Sequence, residues 1–455
     1  MMTGVTVMPE SIQNEGVEAI LDRLSAAGVT HVATSPYVME PADEKTGSRE
    51  PPIDAGAGSV RLLDRPQWGK RELFVRTSPS FRPDKKLYAG LRYQPSEPDA
   101  LTEREGPIIA RFIRAAQGKH IQVYLQIQAA IPPGYRVQFG GPVDEDKPRL
   151  PDGRVPPRRF ANNGSLASPH ITNYTLALTR DLLRVYPDID GIRYDWPEYP
   201  PYMLDDVFLD FNPQLAKLGG FDFERMQREA MGVYRLLHGG LTNRHLERWL
   251  TDDGGRGPLL QALVDQPGLG DWLRCKARLS SELAVKLRET LPTRMALAFG
   301  TFPPPFTTVS GFDFRTVATA FHVKLFTMHW PVILRFYGEQ LKRNNPAVDE
   351  GLLVRALSNW LGIQDQPYFS RLEQFKYPEP EEAHPVGEEA QLLKIRDAQR
   401  MAGETPVVSF VHGYGPVKDF ARRLQIGRAA SKHGVWINRY EYLRNEKIAG
   451  LRENA

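Results

Sequence analysis

Residues 190–202 read Asp190-Gly191-Ile192-Arg193-Tyr194-Asp195-Trp196-Pro197-Glu198-Tyr199-Pro200-Pro201-Tyr202. A short apolar run ends abruptly in two acids set among aromatic rings and prolines. Such a run predicts a strand buried on both faces, as parallel sheets use. The acids then stand where that strand leaves the core. Carboxylates beside Trp and Tyr rings suit sugar chemistry. Rings stack on sugar faces, and carboxylates manage protons and positive charge at the anomeric carbon.

Seven more short runs accompany this one, at 5–8, 29–35, 121–127, 295–300, 321–328, 406–411 and 435–438. Most precede a segment with helical spacing. Val17, Ile20, Leu21 and Leu24 fall at i, i+3, i+4 and i+7, and Leu352, Leu353, Ala356, Leu357, Trp360 and Leu361 share one stripe. Further helices are expected over 106–118, 173–185, 223–237, 269–291 and 445–451. Eight strand–helix alternations predict an α/β fold, a single (β/α)8 TIM barrel over residues 1–455. Stretches at about 40–105, 132–163 and 200–270 are expected as long loop insertions roofing the C-terminal face, the first with strand content at 73–77 and 87–92. The rival architecture is a doubly wound open sheet with a second domain. Its dinucleotide fingerprint is missing: Gly413-Tyr414-Gly415 comes nearest, with Lys418 where the third glycine belongs.

The chain has 455 residues, 58 basic and 55 acidic, for a net charge of +3. That balance gives no reason to expect a nucleic acid or an anionic membrane as partner. The basic clusters at 82–86 and 154–159 lie in Pro-rich segments and read as solvated loops. Cys275 is the sole cysteine and sits in a helical pattern, so no disulfide is expected and a reducing compartment fits. Residues 1–15 lack the pattern of a signal peptide, and no apolar stretch is long enough to span a bilayer. The expectation is a cytoplasmic protein without a cofactor, its oligomeric state left open.

Reacting groups of such a barrel sit at the C-terminal ends of its strands. Asp195 ends an apolar run, so partial desolvation tunes its pKa, and it is the leading catalytic candidate. Glu198, three residues on, is its expected partner. An extended step of that length reaches about 10 Å. A turn at Pro197 shortens it, leaving open both the ~5 Å of retaining and the ~6.5–9.5 Å of inverting chemistry. Glu441 is the second candidate partner. Residues expected to touch substrate are Tyr37, Gln128, Arg193, Trp196, Tyr199, His329, Trp330, His412, Tyr414, Arg439 and Glu441, all at or beyond run ends except Arg193. Each has a structural alternative: Asp195 tied to Arg193, Glu441 paired with Arg439 or Arg444, the rings packed under loops. His329 and His412 lack a metal-ligand spacing, so no metal is expected.

The same stretch resembles a family of bacterial glycosyl-hydrolase-like barrels. Their pattern is a loop of small residues and proline, a helix, and a strand of the type Asp-Gly-Ile-His-Leu-Asp-Tyr-x-Arg-Tyr-Pro. The loop at 163–170 fits, and Asp190, Gly191, Ile192, Asp195, Tyr199 and Pro200 match the strand. Arg193 replaces the usual His and Glu198 the usual Arg. The strand is also similar to that of family 18 chitinases, Asp-Gly-x-Asp-x-Asp-Trp-Glu. Asp190, Gly191, Asp195, Trp196 and Glu198 match when Pro197 counts as an insertion, with Arg193 in place of an Asp. The resemblance implies a glycoside hydrolase and carries over Asp195 alone as a catalytic acid; Glu198 as partner rests on position.

The expected function is hydrolysis of an O-glycosidic bond in carbohydrate metabolism, on a carbohydrate or glycoside substrate. Asp195 is expected as nucleophile or electrostatic stabiliser and Glu198 as proton donor. The alternatives are a barrel that binds a glycan without cleaving it, and a metal-dependent barrel hydrolase or lyase.

Overall fold

The computed structural model describes residues 1–52, 62–136, 138–250, 263–325, 329–365, 369–385 and 387–452, apart from the side chains of 329–332. Among the described residues the strands are β1 (Met2–Thr6), β2 (His31–Thr34), β3 (Tyr37–Ala42), β4 (Ser48–Glu50), β5 (Leu73–Pro79), β6 (Gln122–Gln128), β7 (Gly191–Asp195), β8 (Ala296–Thr301), β9 (Ala320–Lys324), β10 (Val407–His412) and β11 (Gly434–Asn438). Eight of them, β1, β2 and β6 to β11, close into a parallel barrel in chain order. The pairing of Val5 with Ile437 joins first strand to last. A closed ring with helices between its strands is a (β/α)8 TIM barrel and excludes the open sheet. Each expected run supplies one barrel strand.

The period of two along each strand separates two environments. Val5, Val32, Leu125, Ile192, Leu297, Phe321, Val411 and Ile437 belong to the large core shared with the helices. Their partners there include Ile20, Leu21 and Leu24 of the helix Val17–Ala26. Each fully buried aliphatic side chain contributes roughly 1.5–3 kcal/mol. The alternate positions Ala33, Tyr124, Ala298, Val408, Phe410 and Trp436 form a separate cluster inside the barrel. Gly4 makes room for it, because a Cβ there would stand 2.2 Å from the Trp436 ring.

Two expectations change in the excursions. Residues 37–42 pair with β5 as an antiparallel strand, giving the sheet β3-β5-β4 beside the barrel. Residues 87–92 are not a strand. A 3-10 turn, Lys85–Tyr88, opens there with the Asp84 side chain accepting from the Lys86 amide, and Tyr88 donates to Asp181. The run at 321–328 also ends early: β9 stops at Lys324, and the helix His329–Asn344 begins soon after. No helix among the described residues is long and apolar enough to cross a membrane.

Candidate active site

Toward the C-terminal end of the barrel the inward positions turn polar. Tyr194 of β7 faces the helices, its hydroxyl 2.8 Å from that of Thr179, so Arg193 and Asp195 face inward. Arg193 is fully buried. Its guanidinium lies over Trp436 at 4.8 Å and Phe410 at 5.1 Å. It donates to Thr6 Oγ1 at 3.0 Å and to Gln126 Oε1, and stands 3.5 Å from His322 Nδ1. Burial, with Arg193 next, pushes His322 well below its ordinary pKa, so the imidazole is neutral.

Asp195 caps this column. Arg193 Nε is 3.7 Å from its Oδ1, and Gln126 donates Nε2–H to its Oδ2. Gln126 thus bridges cation and anion, accepting from one and donating to the other. The Asp195 side chain keeps 18% of its surface exposed. Burial raises its pKa above the ordinary value; the charges of Arg193 and Lys324 and the Gln126 hydrogen bond oppose that rise. Its register partner on β8 is Gly300. A Cβ on Gly300 would lie 2.3 Å from Asp195 Oδ1, so the carboxylate occupies the space a side chain would take.

Rings and a second cation flank it. Trp196 follows at φ +54°, a left-handed conformation that costs a non-glycine residue about 1–3 kcal/mol and often marks a functional site. Its half-buried ring meets Tyr202 edge-on at 6.0 Å, and Tyr202 meets Phe302 at 5.3 Å. Lys324, the last residue of β9, lies 3.9 Å over Phe302 and 5.6 Å from Trp196. Gln128 is the register partner of Asp195 on β6. Its Oε1 is buried without a hydrogen bond among the described residues. An acceptor left so costs about 1–3 kcal/mol unless water or a ligand satisfies it. A ligand hydroxyl beside Asp195 is such a donor.

Other expected residues are placed differently. Glu198 is fully buried. Its Oε1 accepts from Thr301 Oγ1 at 3.0 Å and the Phe302 amide at 2.9 Å, and its Oε2 from Ser310 Oγ. Burial raises its pKa, with Lys324 and these donors opposing. An enclosed carboxylate with both oxygens engaged does not reach a glycosidic oxygen. Tyr199 is likewise enclosed, donating to Asp210 at 3.1 Å and accepting from the Leu166 amide at 2.9 Å. Arg193 supports Asp195 from inside the barrel and is too deep for direct substrate contact.

Tyr37, Arg439 and Glu441 join a sealed network with Glu10, Glu50 and Arg136. Arg136 meets Glu10 and Glu50 at 2.8 Å each. Arg439 meets Glu50, Glu10 at 3.3 Å and Glu441 at 3.4 Å. Tyr37 donates to Glu10 at 3.1 Å. Glu441 accepts from the Met8 amide at 3.1 Å and from Ser11. Burial pushes Glu441 up to about 7, Arg439 opposing and Glu10 adding. Arg444 pairs instead with Asp64 at 2.9 Å. These side chains fix β3, β4 and the loop carrying Arg136 to the barrel.

His412 ends β10 and stacks on Tyr414 at 5.6 Å. The side chains of His329 and Trp330 lie outside the described residues. Among the described residues no three His, Cys, Asp or Glu side chains gather as a metal site. Sequence reasoning missed Lys324, His322 and Thr6. A lysine and a histidine inside the run at 321–328 were the available signal, since a buried strand carries such groups only where they face partners or a site.

No family model matches the chain, and no curated protein matches it. It is similar to solved structures of other barrels. The glycoside hydrolase domain of PgaB (BpsB) from Bordetella bronchiseptica has 13% identity and a TM-score of 0.40 over 95% of this chain and 99% of that one. The catalytic domain of β-amylase from Paenibacillus polymyxa has 9% identity and a TM-score of 0.44 over 99% and 97%. A chitinase, RmChi1, from Rhizomucor miehei has 10% identity and a TM-score of 0.39 over the whole of both chains. At such identities these likenesses carry no residue role over to this chain.

Proposed function

We propose that the chain hydrolyses an O-glycosidic bond, with Asp195 handling the proton. The observation that carries this is Asp195 itself: an inward, partly exposed carboxylate whose pKa is raised by burial, beside a half-buried Trp196. A raised pKa lets a carboxyl keep its proton nearer neutrality and deliver it to a leaving oxygen. Gln126, Arg193 and Lys324 fix its position and balance its charge once the proton has left. Glu198 is a positioning residue that holds the loop after β8, and with it the Phe302 ring. A single barrel over 1–455 with its excursions above the mouth belongs to this reading. Support comes from Phe160 and Tyr202, from two of those excursions, which meet at 6.2 Å. So does a place in cytoplasmic carbohydrate metabolism, Cys275 being a buried free thiol.

One observation favours a second reading. Glu198, the expected partner of Asp195, is enclosed with both oxygens engaged, whereas glycoside hydrolysis ordinarily uses two available carboxyl groups. That favours a barrel which binds a glycan without cutting it. A panel of aryl glycosides and oligosaccharides separates the two. Turnover by the wild type that falls ~10²–10⁴-fold in Asp195→Asn supports hydrolysis. Glycan binding with no wild-type turnover supports the binder. Stoichiometric zinc or manganese in purified protein would overturn both in favour of a metal-dependent enzyme.

A further inference from the structure

The basic run at 154–159 reads as a solvated loop, but its three arginines stand in different surroundings. Arg154 pairs with Asp152 at 2.5 Å. Arg159 is largely buried; it pairs with Asp206 at 3.1 Å and donates to the Asn163 carbonyl at 2.9 Å, which pins the loop. Arg158 meets neither an acid nor a hydrogen-bond acceptor among the described residues. Its guanidinium lies over Phe160 at 4.8 Å and over Phe336 at 4.9 Å, and those rings stack on each other at 5.5 Å. The residue is exposed. Attraction of a cation to ring faces needs no acceptor, so its five N–H donors stay available to solvent or a ligand. A long side chain loses rotamer freedom when it binds. One already laid across two rings has lost part of that freedom beforehand, so its charge stands ready in one place.

That charge lies on the aromatic wall that runs to Asp195. Phe160 meets Tyr202 at 6.2 Å, and Tyr202 meets Trp196 at 6.0 Å. Phe160, Tyr202 and Phe336 follow β6, β7 and β9, so all three rise from the C-terminal side of the barrel. Phe160 and Trp196 each keep part of their surface exposed. An anionic group on the sugar unit at Asp195 would face an ionised carboxylate. On a unit further along the wall it meets Arg158, whose planar fork fits a carboxylate or a sulfate with two parallel hydrogen bonds. We propose that Arg158 binds an anionic substituent on a sugar unit beyond the one at Asp195, which makes the substrate an acidic glycan. This rests on the reading of Asp195 as a glycan site.

Titration calorimetry on the full chain tests it with hexasaccharides in matched pairs. Galacturonate and mannuronate hexamers are set against their methyl esters, and a carrageenan hexasaccharide against its desulfated form. The acidic member of a pair is expected to bind more tightly than its neutral twin, and to lose that advantage as ionic strength rises from ~0.02 M to ~0.2 M. Whether the uronate or the sulfated series shows this separates carboxylate from sulfate. In Arg158→Gln, checked for folding by its melting curve, affinity for the acidic member drops ~3–10-fold and that for the neutral twin holds. Arg158→Lys keeps part of the preference, and Arg154→Gln, whose charge is already paired, keeps all of it. An acidic preference that survives Arg158→Gln overturns the proposal. So does equal affinity within every pair; cleavage of the neutral twins that is lost in Asp195→Asn would then leave the function at Asp195 standing. Arg158-dependent binding of acidic hexamers that the wild type never cleaves keeps the anion site and sinks hydrolysis. Binding of no member of any pair overturns both.

Discussion

Acids gather at two places around the barrel's C-terminal end, and they are treated in opposite ways. On the β11 side Glu10, Glu50 and Glu441 face Arg136 and Arg439 with almost no exposed surface. On the β7 side Asp195 has Arg193 below it and a side partner in Gln126, yet keeps an open face. The first arrangement ties together segments from residues 10, 50, 136 and 439. The second leaves capacity over. A buried charge closed in by opposite charges holds architecture; one whose partners stop short on the solvent side keeps a face open. Glu198 shows the distinction over three residues. It follows Asp195 closely in sequence but carries the sealed kind of environment.

Removing one member from each group should break this contrast most visibly. Arg439→Met strands Glu50 and Glu441 without a cation they share, and loss of one partner from a buried ion pair costs about 3–5 kcal/mol. Urea unfolding should report that loss. Asp195→Asn is expected to cost less than Arg439→Met: ionisation of Asp195 works against folding and an amide avoids it, but the buried Arg193 loses the one carboxylate 3.7 Å away that steadies its charge. The main effect of Asp195→Asn should fall on glycoside turnover, ~10²–10⁴-fold. An Asp195→Asn protein as unstable as Arg439→Met would show the two regions to be one kind of structure. Next in size is Gly300→Ala. The added methyl intrudes on Asp195 Oδ1, an overpacking of about 1–3 kcal/mol, and should lower turnover while Asp195 itself is intact. Unaltered kinetics in that variant would place the chemistry away from Asp195.

The barrel was legible because strands buried on both faces are written as short continuous apolar runs, and all eight were visible. The place of Asp195 at a strand exit was legible because it ends such a run; the enclosure of Glu198 was not, since its donors, Thr301, Phe302 and Ser310, lie more than a hundred residues onward. The same holds for Tyr37 and Arg439, whose partners come from residues 10, 50 and 136, whereas Glu441 meets the neighbouring Arg439, the pairing its position already offered, and adds Met8 and Ser11. A carboxylate at a strand exit looks alike whether it will be sealed or left open, because sealing depends on contacts remote in sequence. Lys324 was hidden for another reason. Counting apolar residues over 321–328 absorbed a charge that should have marked the inward face of β9.

The smallest expected effect probes the sealed region alone. Glu441 is pushed up to about 7, chiefly by burial. Below the ordinary carboxylate range both folded and unfolded chains hold its proton. Between that range and about 7 the folded chain holds more proton than the unfolded one, so stability falls as pH rises. Above about 7 both are ionised and the slope from this group ends. From about pH 6 to about pH 8 the loss should be on the order of 1 kcal/mol, most of it in the lower half. The groups facing it are Arg439, Glu10, Ser11 and the Met8 amide, so its titration is shared with the network. Glu441→Gln should flatten that part of the pH–stability curve measured by urea unfolding, while turnover per folded molecule stays unaltered. If the slope survives in Glu441→Gln, the titrating group lies outside the sealed network. If turnover falls with it, the β11 side takes part in the chemistry, and the division between the two regions fails there.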